Sequence, residues 1–593
     1  MKYIFDLETD GLLKEVSTIH SCVLQNVMDD TLTSCAADER FTPIEEGITL
    51  INNASVLIGH NIIGFDLPVL KKLHGIDPKA NVIDTLNLSR LLWPNILELD
   101  MRRKGFPTNL VGKHSLEAWG ARLHCAKGDF GKQTDWKEWS MPMQKYCEQD
   151  VIVTRKLYDL CMSKNYAQEA IDIEIEFQKI ITQQEINGVT FNRLEAQKMY
   201  YKLKRDQNEF RTKIKEMVPD RRIEKVFVPK RDNVKKGYFK DQPYVKVSHE
   251  PFNPGSRTQI ANLFIGKYKW EPLELTKTGR PKCSADIISA LPYEEAEIIS
   301  KYLTVSKLLG MIGDGDVSWL KLEVDGKLHG RVNTNGAVTG RITASSPNLA
   351  QVPAPGSFMG EECRKLFTAS PGMVMVGADA KALELRCFGH FLYQYDAGDY
   401  IKTLLEADIH TANQGAAGLP TRTIAKRFIF SFNYGAGDAL LGSLIRPGAT
   451  KEEQKILGSA ARYRLFREIP AIEQLISSVK NVASKRGYLI GIDGRHLHIR
   501  EEYRALNTLL QSAGAILIKK ATNIFYKHVE ERGLEVRQLL HIYDEIDVEC
   551  KPEIAEEVGK LIVQSMEESG KFFNFKCPIT GNYSVGNNWA EIH

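Results

Sequence analysis

What most constrains this chain is the placement of acidic residues at the ends of short apolar runs, in two regions far apart in sequence. Asp6 and Glu8 close the run Tyr3-Ile4-Phe5. Asp379 follows Met373-Val374-Met375-Val376, and Asp544-Glu545 separates Leu539-Leu540-His541-Ile542 from Ile546-Asp547-Val548. The last arrangement reads as a strand pair with a tight turn. Carboxylates brought together at strand ends repel one another unless divalent cations neutralise them. Such acids are therefore either solvated at turns or brought together from remote segments around ions.

The amino-terminal set is the larger. Residues two apart on a strand share a face, so Asp6 and Glu8 point the same way. Asn61-Ile62-Ile63-Gly64-Phe65-Asp66 brings another acid to a loop-to-helix junction. Tyr146 and Asp150, four apart, fall on one side of a helix. An isolated DxE occurs by chance everywhere; the spaced set DxE, NxxxFD, YxxxD is specific. It suits a phosphodiesterase site in which two ions about 3.5–4 Å apart activate water and stabilise the leaving oxygen.

Asp379 and Asp544 alone would equally suit solvated turns. Arg422, Lys426, Phe430 and Tyr434 decide the matter, recurring every four residues ahead of Gly435. On a helix, steps of four drift by about 40° and form one stripe. Two cations then two aromatics fit a nucleoside triphosphate, charge meeting phosphate and rings meeting sugar and base. An amphipathic surface helix would explain any one of these residues but not the ordered set.

At 593 residues the chain exceeds a single core. Residues 1 to about 165 alternate strand-like and helix-like segments (Val56–Gly59, then 67–73), the pattern of an α/β domain. Residues 170–186 turn helical, and a long helical section runs from about 400 to 530. The net charge of +3 does not exclude nucleic acid, because clustered acids offset a basic surface elsewhere. Ten cysteines without a CxxC pair point to reduced thiols. The opening Met-Lys-Tyr-Ile-Phe-Asp is not a signal peptide, and no apolar run is long enough for a membrane span; a cytoplasmic protein is expected. Between residues 221 and 246, nine Lys/Arg face three acids. This is either a solvated surface loop or a phosphate-contacting segment.

Asp379-Ala-Lys-Ala-Leu-Glu-Leu-Arg386, Arg422-x3-Lys-x7-Tyr-Gly435 and Tyr543-Asp-Glu545 resemble motifs A, B and C of family A DNA polymerases. The three amino-terminal acid motifs resemble the proofreading 3′→5′ exonuclease fused to that family. Phe252-Asn-Pro-Gly-Ser-Arg257, Asn335-Gly-Ala-Val-Thr-Gly-Arg341, Pro347-Asn-Leu-Ala-Gln351, Leu506–Gly514 and the ending Asn588-Trp-Ala-Glu-Ile-His593 are similar to the replicative polymerases of short-tailed bacteriophages.

The resemblance implies an α/β plus α+β multidomain protein. A ribonuclease-H-like exonuclease (1–165) would precede a right hand: thumb and connecting helices (166–320, with the basic segment at about 219–250), palm (321–400 and 536–593) with an antiparallel sheet, and helical fingers with adjoining palm helices (401–535). It implies template-directed DNA synthesis with proofreading. Asp379, Asp544 and the Ala380 carbonyl would hold two Mg2+, with Glu545 nearby; Asp6, Glu8, Asp66 and Asp150 would hold two more, with Tyr146 orienting water. His410, Arg422 and Lys426 would grip the triphosphate, and Lys426 would also protonate pyrophosphate, beside Phe430 and Tyr434. Glu384, bonded to Tyr434, would exclude a ribose 2′-hydroxyl. Arg341, Asn507, Gln511 and Tyr543 would touch the primer-terminal minor groove. The implied partners are primer-template DNA, dNTPs, a helicase-primase and a single-stranded-DNA-binding protein, in a host cytoplasm. The alternative, an exonuclease with a non-polymerising DNA-holding domain, has no use for Arg422 and Lys426.

Three departures stand out against the family pattern. Tyr543 replaces the usual His of motif C, Lys381 stands where Ser is common, and Phe430 stands where several phage relatives carry Tyr. Some relatives also carry a thumb insertion that recruits thioredoxin. Here the interval is shorter and basic, which argues against a thioredoxin clamp and for direct contact with DNA.

Overall fold

The computed structural model describes residues 1–125, 136–276 and 278–593. Their contacts divide into two compact units. The first comprises 1–191, 327–409 and 469–593, and the second 192–326 and 410–468.

The first unit opens with a five-stranded sheet. Its strands are β1 (Lys2–Thr9), β2 (Ile19–Asn26), β3 (Leu32–Ala36), β4 (Val56–Gly59) and β5 (Asn81–Asp84), in the order β3-β2-β1-β4-β5. β1 pairs antiparallel with β2 and parallel with β4, and β4 pairs parallel with β5. Central β1 is covered on both faces, which is why Ile4, Phe5 and Leu7 are all buried while Asp6 is only partly so. The helix Met141–Met162, N-capped by Ser140, lays Cys147, Val151 and Tyr158 against Ile4, Val23 and Ile58. The helix Gln168–Asn187, in the interval read as thumb and connecting helices, packs within this unit, burying Phe177 and Ile181 with Ile342.

A second, fully antiparallel sheet consists of β6 (Val374–Ala380), β7 (Val536–Ile542), β8 (Glu545–Cys550) and β9 (Gly581–Gly586), ordered β7-β8-β6-β9. Between them in sequence lie the helices Leu383–Asp396 and Ala505–Arg532. The helical section expected from 400 to 530 is broken at Gly487, whose φ of 74° ends a helix. A short hairpin, Tyr488–Ile490 with His496–His498, follows.

In the second unit the helices Arg193–Met217, Arg257–Tyr268 and Glu294–Leu309 enclose a core of Ile214, Phe264, Ile299 and Tyr302. The basic segment is not a loop: Arg221–Phe227 and Tyr244–Glu250 pair antiparallel in full register. The ring cluster Phe227–Tyr238–Tyr244 holds its far end, with centroids 5.3 to 5.7 Å apart. All ten cysteines are free. No described helix is long and apolar enough to cross a membrane.

Candidate active sites

The amino-terminal acids converge. Ligand atoms of Asp6, Glu8 and Cys147 lie within 4.8 Å of one another. The Cys147 thiol donates to the Asp6 carbonyl at 3.4 Å. Asp66 is the first residue of the helix Asp66–His74, and its Oδ1 accepts the Leu7 N–H of β1 at 3.0 Å. Asp66 is therefore tied to the strand segment between Asp6 and Glu8. Burial, with the charges of Asp84 and Asp150 adding and the Leu7 N–H opposing, pushes Asp66 up to about 7. Asp150 is buried on the Met141–Met162 helix, and Tyr146 on the same helix meets the Trp136 ring edge-on at 6.2 Å.

Asp84 lies outside the three acid motifs. It ends β5, N-caps the helix Thr85–Leu92 through Leu86 and Asn87, and also accepts the N–H groups of Asn61 and Ile63 at 2.9 and 3.1 Å. One buried carboxylate thus shapes the Asn61–Asp66 loop. The readable signal was an Asp directly before an apolar helical run.

The carboxy-terminal acids also converge. Asp379 of β6 pairs in register with Glu545 of β8, and the Ala380 N–H donates to the Asp544 carbonyl at 3.2 Å. Asp544 lies in the β7–β8 turn beside Tyr543, whose φ is 58°. Partial burial, then the charges of Asp544 and Glu545, push Asp379 up to about 7; burial also raises Asp544, against the pull of Arg341. Glu545 is held below the usual carboxylate range despite burial, because His593 at 3.3 Å, the Trp589 Nε1–H at 2.8 Å and Arg364 at 3.8 Å all engage Oε1. Arg364 in turn covers the Trp589 ring at 4.1 Å. Asp547 is wholly buried behind Glu545 and is raised well above its ordinary value by that burial first and by Glu545 second.

Arg341 donates to Glu384 at 3.2 Å and lies 5.5 Å from the Tyr543 ring centre. It thereby joins the first turn of the Leu383–Asp396 helix to the β7–β8 turn. Asn507 and Gln511 are partly exposed, one turn apart, while every other residue from Ala505 to Lys519 is buried. They are the accessible stripe of that helix.

The cationic stripe belongs to the second unit. The helix Arg422–Asn433, N-capped by Thr421, buries Ala425, Phe428, Ile429 and Phe432 and leaves Arg422 and Lys426 exposed with Phe430 half-buried. Tyr434 falls one residue past the helix end, although its N–H still bonds the Phe430 carbonyl at 3.0 Å, so it continues the stripe. The His410 ring lies 6.3 Å from Phe430. The Glu384–Tyr434 bond expected above joins residues of different units and remains an expectation.

Two acid clusters, one beside the Arg341 guanidinium at the end of the antiparallel sheet and the other on the mixed five-stranded sheet, are candidate phosphoryl-transfer centres. Comparison identifies the class: residues 234–591 match the model of DNA polymerase family A, and the chain belongs to that family. It is a DNA-directed DNA polymerase. The chain is 31% identical to the DNA-directed DNA polymerase of Enterobacteria phage T3 and 30% identical to that of Escherichia phage T7, each over 100% of both chains. The fold matches the POL domain of Pol1 from M. smegmatis, solved with DNA primer-template and dNTP, at a TM-score of 0.75 and 16% identity over 99% of this chain and 96% of that one. Polymerases of this family use divalent metal ions. The carboxylate oxygens at both sites suit a hard cation, and the Cys147 thiol beside Asp6 and Glu8 is engaged in donating to Asp6.

Proposed function

We propose that the chain is a phage-type replicative polymerase which extends primers at Asp379 and Asp544 and removes misinserted 3′ nucleotides at Asp6, Glu8, Asp66 and Asp150. The observation that carries the synthetic site is the juncture of β6 with the β7–β8 turn, where the Ala380 N–H meets the Asp544 carbonyl. Asp379, Asp544 and the Ala380 carbonyl would hold two Mg2+, and the amino-terminal acids two more. When bound, such ions neutralise the reacting phosphate and activate the primer 3′-hydroxyl or the attacking water.

This chain's own side chains do the aligning. Arg422, Lys426 and His410 grip the triphosphate, Lys426 delivers a proton to pyrophosphate, and Phe430 and Tyr434 face sugar and base. Glu384 fills the space of a ribose 2′-hydroxyl. Its ion pair with Arg341 supports that role, since a carboxylate fixed at one end cannot swing aside. Arg341, Asn507, Gln511 and Tyr543 meet minor-groove acceptors, which sit alike in every Watson–Crick pair and so report shape without sequence. Glu545, engaged by Trp589, Arg364 and His593, anchors the turn. At the other site Tyr146 orients water. A frayed single-stranded end reaches it most readily, which favours mismatched termini.

The partners are primer-template DNA and dNTPs, with a helicase-primase and a single-stranded-DNA-binding protein at a fork in the host cytoplasm. The basic hairpin is read as a DNA contact in place of a thioredoxin clamp. Lys225 and Lys246 stand directly opposite each other across its strands. Like charges so placed weaken a hairpin, and a phosphate backbone would relieve them.

A primer-extension assay with dNTPs, rNTPs and Mg2+, on matched and mismatched primers, tests the whole reading. Matched primers should be extended with dNTPs, and mismatched ones trimmed first. Asp379→Ala or Asp544→Ala copying template at the parental rate would refute the synthetic site, and Asp66→Asn trimming at the parental rate would refute the exonuclease.

A further inference from the structure

Four charged side chains are buried together in the first unit, outside both acid clusters. Glu174 lies on the helix Gln168–Asn187, Lys519 on Ala505–Arg532, and Asp493 and Arg495 on the turn after Tyr488–Ile490; each is 4% exposed or less. Glu174 Oε1 lies 2.6 Å from Lys519 Nζ and 2.8 Å from Arg495 Nη2, and Arg495 Nη2 lies 2.6 Å from Asp493. Two cations and two anions balance. Such clusters seldom add stability, since desolvation offsets their attraction and apolar residues of the same volume often serve as well or better. Their use has to be sought in the geometry they impose.

What these four hold is the segment Asn333–Arg341. Lys519 Nζ donates to the Thr334 carbonyl at 2.8 Å, and Arg495 Nη1 donates to Asn335 Oδ1 at 3.3 Å. Further along, Gly340 has a φ of 76°, and a Cβ there would stand 2.5 Å from Arg495 Nη1. The guanidinium is therefore packed flush against the backbone one residue before Arg341. The other side of the segment is fixed too: Thr334 Oγ1 bonds Gln178 Oε1 at 3.0 Å, and a Cβ on Gly336 would overlap Thr343. The segment ends at the guanidinium that meets Glu384 and Tyr543.

We propose that the buried Lys519–Glu174–Arg495 cluster is the positioning device for Arg341, setting the height at which its guanidinium meets the primer-terminal base pair. The inference rests on the minor-groove role given to Arg341 above. The three residues touch neither DNA nor nucleotide; they act through Asn335 and Gly340.

The test is single-nucleotide extension from primers ending in guanine or in 3-deazaguanine, which lacks the minor-groove N3 acceptor. The parent enzyme should extend the deaza primer roughly tenfold or more slower. Arg341→Ala should extend both at one slow rate. The charge-balanced double variant Glu174→Gln with Lys519→Met, and separately Asn335→Leu, which leaves all four charges in place, should likewise lose the distinction. KM for the incoming dNTP should move less than kcat, and Lys519→Arg should restore part of the ratio. An Arg341→Ala enzyme that still discriminates would refute the role of Arg341 itself. If Arg341→Ala is blind to the deaza base while both cluster variants still distinguish it, the cluster is structural only and the inference fails.

Discussion

Asp66 offers the sharpest test of how the proposed exonuclease site is built. Its carboxyl is buried, accepts the backbone N–H groups of Leu7 and of Asp66 itself, faces the charges of Asp84 and Asp150, and is pushed up by burial to about 7 from its ordinary 3.8. Between those two values the folded chain binds a proton that the unfolded chain has lost, so stability falls as pH rises across that window and is flat above it. The cost of ionised Asp66 in the metal-free protein therefore reaches its full size above pH 7, at about 4 kcal/mol, and is about half that at pH 5.5. Asn in its place keeps an acceptor for the Leu7 N–H and carries no charge. In EDTA at pH 8, Asp66→Asn should unfold in denaturant or on heating with a free energy up to about 4 kcal/mol above the parent's. The advantage should shrink at pH 5.5 and disappear in saturating Mg2+, while 3′→5′ hydrolysis of single-stranded DNA is lost. An Asp66→Asn protein no more stable than the parent in EDTA at pH 8 would refute this account of the site.

Other consequences can be measured directly. Phe430 has no hydroxyl to replace a missing sugar 3′-OH, so Phe430→Tyr should raise dideoxynucleotide use by roughly 10–200-fold, read from termination ratios on a primed template. Replacing Lys225, Lys235, Lys236 and Lys246 with alanine should shorten products per binding event. It should also flatten the plot of log affinity against log salt by up to about 3.6, four phosphate contacts at about 0.9 each; an unchanged slope would exclude the hairpin from the DNA contact. Glu384→Ala should admit ribonucleotides roughly 10–200-fold more readily, measured as the ratio of kcat/KM for rNTP and dNTP.

The parts of both sites that could be read in the sequence are those whose geometry is local. Asp6 and Glu8 alternate on one strand, Tyr146 and Asp150 are one helical turn apart, and the Arg422–Tyr434 stripe keeps a four-residue step up to and just past its helix end. The hairpin Arg221–Glu250 was not legible because its strands bury neither face and so lack the alternation that marks a strand. The break at Gly487 was hidden by helical stretches on both sides. Asp547 looked like one polar residue in an apolar run, and only the pairing of β8 with β6 and β7 reveals that it is enclosed. The Glu174–Lys519–Arg495 cluster draws on three remote segments, so no spacing rule could have found it.

The two centres share a physical plan that explains which acids are available to ions. In each, one acid stands beside a second, wholly buried acid: Asp66, at a helix start, beside Asp84, and Glu545, at a strand start, beside Asp547. Asp84 raises the cost of ionising Asp66, whereas at the other centre Asp547 is the acid that is raised, by burial and by Glu545 and Asp379. Asp84 is itself raised by burial, although four N–H groups oppose the rise, whereas Glu545 is satisfied by Trp589, Arg364 and His593 and held low. Asp66, Asp379 and Asp544 remain raised by burial and by their neighbours. A carboxylate already satisfied by N–H donors gains little from a cation, whereas a raised one gains its whole deficit. Of these carboxylates, Glu545 is therefore the one the structure satisfies outright, while Asp66, Asp379 and Asp544 are among those that the bound ions proposed above would relieve most.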